Sequence, residues 1–307
     1  MNKRRISGLV GLIIGVLGLA FVTIRLIRDW STVVEAFSSA RWLLAVGALA
    51  VGLLGMTTIG LNWHRILRDL GFVANRRRTS LHQYFVGQLG KYIPGGIWPI
   101  VGRAEMAHRG GATRSAAYAG TLLSLGSTYL AGLLTAAAFL AVLGLGGDEP
   151  GWTIWLVAII PIGLLALHPS VLTQTMRWAS RISKRQLEVP IPKWSRSVTL
   201  VVLHIPAWLA ISAATYLVSE SLGGGASFGR VVVATSVAWF LGFVVIGLPG
   251  GIGVREAVFV SLVSPMDPAI AAAVALVSRV VFIVVDLAGA GLSTGWHLSS
   301  PQRKTEI

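Results

Sequence analysis

The stretch GLPGGIGVREAVF, residues 247–259, places a proline and paired glycines inside an otherwise apolar sequence. The same four letters, Pro-Gly-Gly-Ile, occur earlier in GKYIPGGIWPIVGRAEMAHRGG, residues 90–111. Proline has no backbone N–H and glycine accepts almost any backbone dihedral angles, so Pro-Gly-Gly ends a helix sharply. The sequence therefore predicts two helix breaks, each followed by an arginine and a glutamate. They lie at Pro94, Gly95 and Gly96 and at Pro249, Gly250 and Gly251.

The composition around these breaks is that of a membrane protein. The 307 residues are 54% hydrophobic and only 12% charged, whereas soluble domains have about 25% charged residues. A helix needs roughly 20 apolar residues to cross the hydrocarbon core, and most of the apolar runs reach that length. The runs occupy residues 6–24, 42–61, 115–147, 151–167, 197–219, 231–254 and 268–296. We therefore expect an all-α, polytopic membrane protein with a single transmembrane domain over residues 1–307 and about six full spans.

Loop charges predict the orientation of these spans. Lysine and arginine accumulate in cytoplasmic loops, and here they lie at the start of the chain and after the runs that end near residues 61 and 167. Both termini should therefore lie in the cytoplasm, with the protein in the plasma (inner) membrane. The first apolar run is too long for the h-region of a signal peptide and has no convincing cleavage site, so we expect an uncleaved first span. Loops that face anionic headgroups also explain the formal charge of +14, so no nucleic-acid partner is expected.

This orientation puts both ends of each Pro-Gly-Gly segment on one side of the membrane, inner for the first and outer for the second. We expect re-entrant hairpins near 83–112 and near 231–264, although two crossings stay open for the second segment. The chain then contains two units, residues 42–147 and 197–297, related as an inverted repeat. Inverted repeats whose broken helices meet near the midplane are a recurring plan of transporters.

Charged side chains inside the apolar sequence are the candidate binding residues. An ionisable group at membrane depth costs about 2.5–3.5 kcal/mol, so each needs a partner or a task. A helix that starts after each break should point free N–H groups at an anion, and arginine binds phosphate through two donors. The expected substrate-binding residues are Arg103, Arg109, Arg255, Arg279, Glu105, Glu256 and Asp286. For Glu256 and Asp286, ion pairs that lock the hairpins to the last helix are the alternative.

We predict no metal, cofactor or catalytic group. The chain has no cysteine, and its 6 histidines show no metal-ligand spacing. It also contains no P-loop, Gly-x-Ser-x-Gly or His-Glu-x-x-His motif. Lys91, Tyr92 and Trp98 are expected at the membrane interface, where amphipathic side chains concentrate.

The quoted segments resemble the transmembrane, flippase-like domain of lysylphosphatidylglycerol synthases, as found in stand-alone members without the soluble synthase domain. The similarity is most specific in IGLPGGIGVREAVFVSLVSP, residues 246–265, and in AAAVALVSRVVFIVVDLAGAGL, residues 271–292. The family has an arginine at the position of Arg279. Its first motif, a Gly-Gly segment with following arginines, is similar to PGGIWPIVGRAEMAHRGG, residues 94–111, in which the tryptophan and proline are a departure.

The resemblance implies movement of an anionic lipid, a phospholipid or a polyprenyl-phosphate sugar, between leaflets by a protein that is not an enzyme. Anionic membrane lipids are then the expected partners, and a homo-oligomer is compatible with this function. Two alternatives stay open. One is a membrane-embedded lipid-phosphate transferase whose nucleophile or base would be Glu105, Glu256, Asp286 or His108. The other is a scaffold that holds lipid-synthesising enzymes of the cell envelope.

Overall fold

The computed structural model describes residues 23–24, 27–28, 30–72, 76–93, 97–145, 159–166, 168–171, 173–174, 193–245 and 251–299. Every regular element in these ranges is helical, which confirms the predicted all-α fold. The helices are α1 (Trp30–Ser38), α2 (Trp42–Asp69), α3 (Arg77–Gln88), α4 (Trp98–Arg109), α5 (Arg114–Leu145), α6 (Ile159–Ala166), α7 (Trp194–Ser221), α8 (Phe228–Val244), α9 (Val254–Leu262) and α10 (Pro268–Leu298).

Four of these helices are long and apolar enough to cross a membrane. The helices α2, α5, α7 and α10 have 28, 32, 28 and 31 residues, which corresponds to about 42–48 Å at 1.5 Å per residue. A polytopic membrane protein is thereby confirmed. The predicted span at residues 6–24 lies outside the described residues, and of the span at 151–167 only α6 is described.

The helices α2 and α7 pack against each other in opposite directions. At one end, the N–H of Arg41 donates to the carbonyl of Ser221 at 2.9 Å. At the other end, Arg196 donates two hydrogen bonds of 2.7 and 2.8 Å to the carboxylate of Asp69. These contacts define the two ends of the helix bundle, which we call the Arg41 end and the Asp69 end.

The helices α3 and α4 form a hairpin that enters from the Asp69 end. Near the start of α3, His82 lies 3.1 Å from the hydroxyl of Thr294, in the last turns of α10. A 3₁₀ turn follows α3 and lies beside the middle of α10, because the ammonium of Lys91 is 2.6 Å from the carboxylate of Asp286. The chain then returns through α4, which packs on α3 and leads into α5. The helices α3 and α4 thus lie side by side in the region of the first predicted hairpin.

The helices α8 and α9 form a second hairpin, which enters from the Arg41 end. Phe228, the first residue of α8, packs edge-on against Tyr216 near the end of α7, with ring centroids 5.5 Å apart. The start of α9 lies beside the middle of α10, where Glu256 pairs with Arg279. The chain returns to Asp267, which caps the start of α10. The helix α9 has 9 residues and is only about 14 Å long, which is shorter than a full crossing.

The two groups of helices, α2–α5 and α7–α10, contact each other in a reciprocal pattern. The hairpin helix α3 packs on α10, and the hairpin helix α8 packs on α5. In the same way α2 contacts α10 while α7 contacts α5. Each hairpin therefore lies against the last helix of the other group. The two hairpins meet inside the bundle, where the Nζ of Lys91 is 5.7 Å from the ring centroid of Trp239.

Small residues permit the close approach of the two central helices. A Cβ on Gly55 of α2 would lie 3.1 Å from the carbonyl oxygen of Ala207 in α7, so a larger residue would push the helices apart. Pro206 interrupts the backbone hydrogen bonds of α7 at this level because proline has no N–H. There the buried Asn62 of α2 donates to the carbonyl of Leu203 at 2.7 Å. This polar contact fixes the depth at which the two helices meet.

Candidate functional site

A cavity of about 310 Å³ lies where the turns of the two hairpins approach each other. Both hairpins and the four long helices contribute to its wall. Among the described residues its charged lining side chains are Lys91, Arg103, Arg255 and Arg279. The aromatic lining side chains are Tyr84, Tyr92, Tyr129, Trp208, Trp239, Phe243 and Phe282. Three of the predicted binding arginines, Arg103, Arg255 and Arg279, therefore line one cavity. Lys91, which the sequence placed at the membrane interface, lines it as well.

Arg103 is buried in the wall between the first hairpin and α5, with 2% of the residue exposed. Its guanidinium donates to the amide oxygen of Gln88 at 3.0 Å and to the hydroxyl of Ser124 at 3.4 Å. The guanidinium carbon lies 4.7 Å from the ring centroid of Tyr84. Both hydrogen-bond partners are neutral, and no carboxylate in the described part of the chain pairs with this arginine.

Arg255 in the second hairpin also packs on aromatic rings, but it is only partly buried. Its guanidinium carbon lies 4.0 Å from the centroid of the Trp239 ring and 5.8 Å from that of Phe282. Within the described residues it makes no ion pair and no hydrogen bond. Its neighbour Glu256 is engaged by Arg279 instead. Arg255 is therefore a second cation on the cavity wall that makes no direct ion pair with a described carboxylate.

Arg103 and Arg255 make corresponding contacts in the two hairpins, although they follow Pro94 and Pro249 by nine and six residues. Each guanidinium lies over the first ring of a matching tetrapeptide, YFVG at 84–87 or WFLG at 239–242. A Cβ on the glycine of either tetrapeptide would lie 3.1 or 3.3 Å from the Cβ of the arginine, so each arginine packs directly on that glycine. The two tetrapeptides stand in the same register to the two copies of Pro-Gly-Gly-Ile. This longer match was the sequence signal that our four-letter comparison missed.

Glu256 neutralises Arg279 and also occupies the start of α9. One carboxylate oxygen accepts a hydrogen bond from the Nη1 of Arg279, and the other accepts the backbone N–H of Gly253 at 2.7 Å. A glutamate at the third helical position can reach back to the cap in this way. The expectation that free N–H groups of this helix await a substrate is therefore wrong at Gly253. There the anion is a side chain of the protein itself.

Asp286 joins the first hairpin to α10. Its Oδ2 lies 2.6 Å from the Nζ of Lys91 and accepts a hydrogen bond of 2.5 Å from the hydroxyl of Tyr92. The aspartate is fully buried and does not itself line the cavity. The structure places Lys91 and Tyr92 on the cavity wall rather than in the predicted interfacial position. Because Arg279 binds the second hairpin, α10 holds both hairpins through separate ion pairs.

The family model described as the lysylphosphatidylglycerol synthase TM region matches residues 8–289. The chain belongs to this family. The match covers both hairpins and all four long helices up to Gly289, and it confirms the resemblance found in the sequence. No curated protein matches the chain.

Two predicted binding residues of this synthase TM region lie away from the cavity. Glu105 accepts hydrogen bonds of 3.1 and 3.0 Å from Arg114 and one of 3.0 Å from the hydroxyl of Tyr118. These donors lower the pKa of Glu105. Arg109 is exposed at the end of α4. Helical geometry explains both positions. Glu105 is two residues after Arg103, so it points about 200° away around the helix axis. Arg109 is six residues after Arg103, so it lies about 9 Å closer to the Asp69 end.

Of the helix-break residues, Pro94, Gly95, Gly96, Pro249 and Gly250 lie outside the described residues. Gly251 is described and adopts a positive φ of 67°. A Cβ there would lie 2.6 Å from the backbone of Gly242, so the return of the chain against α8 requires glycine. The helices end and restart on either side of both segments, at Gln88 and Trp98 and at Val244 and Val254.

The rim of the cavity is apolar. Ile97, Phe243 and Val244 line it and are 55%, 41% and 49% exposed. All three belong to the hairpin turns or the residues next to them. The site therefore combines one buried and two partly buried guanidinium groups inside with aliphatic and aromatic groups at its opening. This arrangement suits a ligand with a charged head and an apolar tail.

Proposed function

We propose that this protein binds the phosphate-bearing headgroup of an anionic lipid in the cavity and moves that lipid between the two leaflets. The observation that carries the proposal is the pair formed by Arg103 and Arg255. They make corresponding contacts in the two hairpins, line one cavity and form no ion pair with a described carboxylate. Guanidinium groups match the geometry of phosphate oxygens and bind them with two donors at once.

The apolar rim supports lipid as the ligand. A flipped lipid must take its headgroup through about 30 Å of hydrocarbon while its chains stay in the bilayer. With Ile97, Phe243 and Val244 at the opening, the chains can remain outside while the headgroup enters between the hairpins. A soluble phosphate compound would gain nothing from exposed apolar side chains at this depth.

The reciprocal contacts support an inverted repeat as the basis of transport. In this proposal α2–α5 and α7–α10 are equivalent units, and rocking of one hairpin against the other exposes the cavity to each leaflet in turn. The Asp69 end carries Arg65, Arg68 and the cluster at 76–78, so we assign it to the cytoplasm of a plasma-membrane protein. Both termini would then be cytoplasmic.

Ion pairing of the three candidate carboxylates supports a transporter over a lipid-phosphate transferase. Glu105 is bound by Arg114, Glu256 by Arg279 and Asp286 by Lys91. A general base must be able to take a proton from the reacting group, and a carboxylate already held by a cation is a poor acceptor. We therefore propose that Glu256 and Asp286 act mainly by holding the hairpins in place.

Reconstitution in liposomes tests this function. Leaflet exchange of a fluorescent phosphatidylglycerol is measured for the wild type, for Arg103→Gln and Arg255→Gln, and for the exposed control Arg109→Gln. We expect exchange by the wild type and the control, and its loss in both cavity variants with unchanged folding. Exchange that survives both cavity substitutions would show that the headgroup takes another path. Chemical turnover of the lipid in detergent, where no leaflets exist, would favour the transferase.

A further inference from the structure

The cavity has an excess of positive charge that can be assigned to particular residues. Lys91 and Arg279 are neutralised by Asp286 and Glu256. Arg103 and Arg255 have no carboxylate of their own within the described part of the chain, so the four cations are matched by two carboxylates. Two positive charges are therefore left for a ligand to balance.

The aromatic rings beside Arg103 and Arg255 orient these charges without removing them. A ring under the face of a guanidinium attracts it electrostatically but carries no net charge. The N–H donors lie around the edge of the planar group, so stacking leaves them available. Arg103 uses two donors on neutral oxygens, and Arg255 uses none on a described residue. The guanidinium groups of Arg103 and Arg255 are thus held in position while some of their N–H donors remain available to a ligand.

We propose that the preferred lipid carries two negative charges on its headgroup phosphate, as a phosphomonoester or a diphosphate does. This inference rests on the proposed function of the same cavity. A charge that is buried without compensation is expensive. A phosphodiester with a single negative charge leaves one of the two guanidinium groups uncompensated, whereas a dianion balances both. An aminoacylated headgroup would add positive charge to the cavity and should be rejected.

The apolar character and the limited volume of the cavity favour a small headgroup. Away from the cations it is mainly aliphatic and aromatic, with Met56, Ile59, Leu125 and Trp208 among the lining residues. A volume of about 310 Å³ is at the lower end of small-molecule sites. A phosphate group with few further polar substituents satisfies the arginines and leaves few polar groups facing apolar walls.

Binding to purified protein in detergent tests the charge preference. Four probes are compared at about pH 8, where a phosphomonoester with a second pKa near 6 is doubly ionised. Dioleoyl phosphatidic acid, phosphatidylglycerol and lysyl-phosphatidylglycerol share the same chains and differ in charge. A polyprenyl monophosphate supplies the same dianion on an isoprenoid chain. We expect phosphatidic acid to bind at least about tenfold more tightly than phosphatidylglycerol, a factor equivalent to about 1.4 kcal/mol, and the aminoacylated lipid to bind most weakly.

The variants assign the preference to the two arginines. Arg103→Gln and Arg255→Gln should each bring the affinity ratio of phosphatidic acid to phosphatidylglycerol close to one, whereas Arg109→Gln should preserve it. Arg255→Lys keeps the charge and should keep most of the preference, which separates charge from lost packing. Equal binding of the two lipids by the wild type would overturn this inference and leave the proposed function intact. Binding of none of the four probes would contradict the proposed function itself.

The source of the dianion follows from the same measurements. Tighter binding of the polyprenyl monophosphate than of phosphatidic acid would identify an isoprenoid carrier. The reverse order would identify a glycerolipid. Either order supports the dianionic headgroup, because both probes carry the same terminal phosphate.

Discussion

Tyr84 and Trp239 each pack against an arginine guanidinium at matching positions of the two hairpins. Each is the first residue of its tetrapeptide, and each lies under a guanidinium, at 4.7 Å from Arg103 and 4.0 Å from Arg255. The two rings thereby set the direction of the two cations that form no ion pair with a described carboxylate. Because the hairpins enter from opposite ends of the bundle, the rings also bring the two cations to one cavity from opposite sides.

Removal of either ring should weaken binding without a change in charge. A cation–π contact contributes about 0.5–2 kcal/mol, so Tyr84→Leu and Trp239→Leu should each lower the affinity for an anionic lipid by about 2- to 30-fold. The exposed Trp296→Leu is a control for the loss of an aromatic residue from the same protein. Titration of detergent-solubilised protein with phosphatidic acid measures the effect. Unchanged affinity in both cavity variants would show that the rings do not orient the arginines.

The pair formed by Glu256 and Arg279 should dominate the stability of the second hairpin. Glu256 is 3% exposed and Arg279 16%, and loss of one partner from a buried pair costs about 3–5 kcal/mol because the other charge is left uncompensated. Glu256→Gln and Arg279→Gln should each be strongly destabilising. The loss of unfolding free energy in the double variant should be much smaller than the sum of the losses in the two single variants. Reversible unfolding in mixed micelles gives these free energies, and simple additivity would mean that the pair is not coupled.

Sequence reasoning predicted the parts of this fold that local chemistry determines. Composition was enough to predict the helices α2, α5, α7 and α10, because a long uncharged run that spans a membrane has few alternatives to a helix. Both helix breaks could also be predicted from the Pro-Gly-Gly segments. The effect of proline and glycine on the backbone is local and does not depend on the rest of the fold.

The partners of the charged residues could not be predicted in that way. Lys91 and Asp286 lie far apart in the sequence, and only the packing of α3 against α10 brings them together. Glu256 was predicted as a binding residue, yet its position three residues after Gly253 makes it a cap for its own helix. Glu105 is close to Arg103 in sequence but turns away from the cavity. Each of these outcomes depends on the rotation and depth of a helix, which the sequence pattern does not specify.

The backbone of Gly251 should tolerate no side chain. Its φ of 67° is unfavourable for other residues, and a Cβ would come within 2.6 Å of Gly242. Gly251→Ala should therefore cost about 1–3 kcal/mol of stability. Gly126→Ala is the matched control, because no atom lies within 4 Å of a Cβ at that helical position, and alanine there should be neutral or stabilising by up to about 1 kcal/mol. Thermal unfolding in detergent compares the two, and equal midpoints would contradict the close approach.

Acid should loosen the contact between the first hairpin and α10. His82 stacks on His297 with ring centroids 4.9 Å apart. Burial, and next the neighbouring His297, lower the pKa of His82 below its ordinary value of 6.5. The unfolded state then binds more protons as the pH falls, so the contribution of neutral His82 is complete above pH 6.5 and is lost as the pH drops through the folded-state pKa. The wild type should melt at a lower temperature at about pH 5.5 than at about pH 7.5.

His82→Gln serves as the control for this pH dependence. Glutamine can still hydrogen-bond Thr294 but cannot be protonated in this range, so the difference between the two melting temperatures should shrink. A variant that loses as much stability in acid as the wild type would place the sensitivity elsewhere in the protein.

The two hairpins should expose their ends on opposite sides of the membrane. The chain has no cysteine, so single cysteines can be introduced without a background. Arg77→Cys and Arg109→Cys mark the two exposed ends of the first hairpin, and Ser227→Cys marks an exposed end of the second. A membrane-impermeant maleimide applied to intact cells should label only Ser227→Cys. After permeabilisation it should label all three, because α3 and α4 return to the side from which they entered. Labelling of Arg77→Cys and Arg109→Cys from different sides would mean that the first hairpin crosses the bilayer, and the inverted relation of the two units would then be lost.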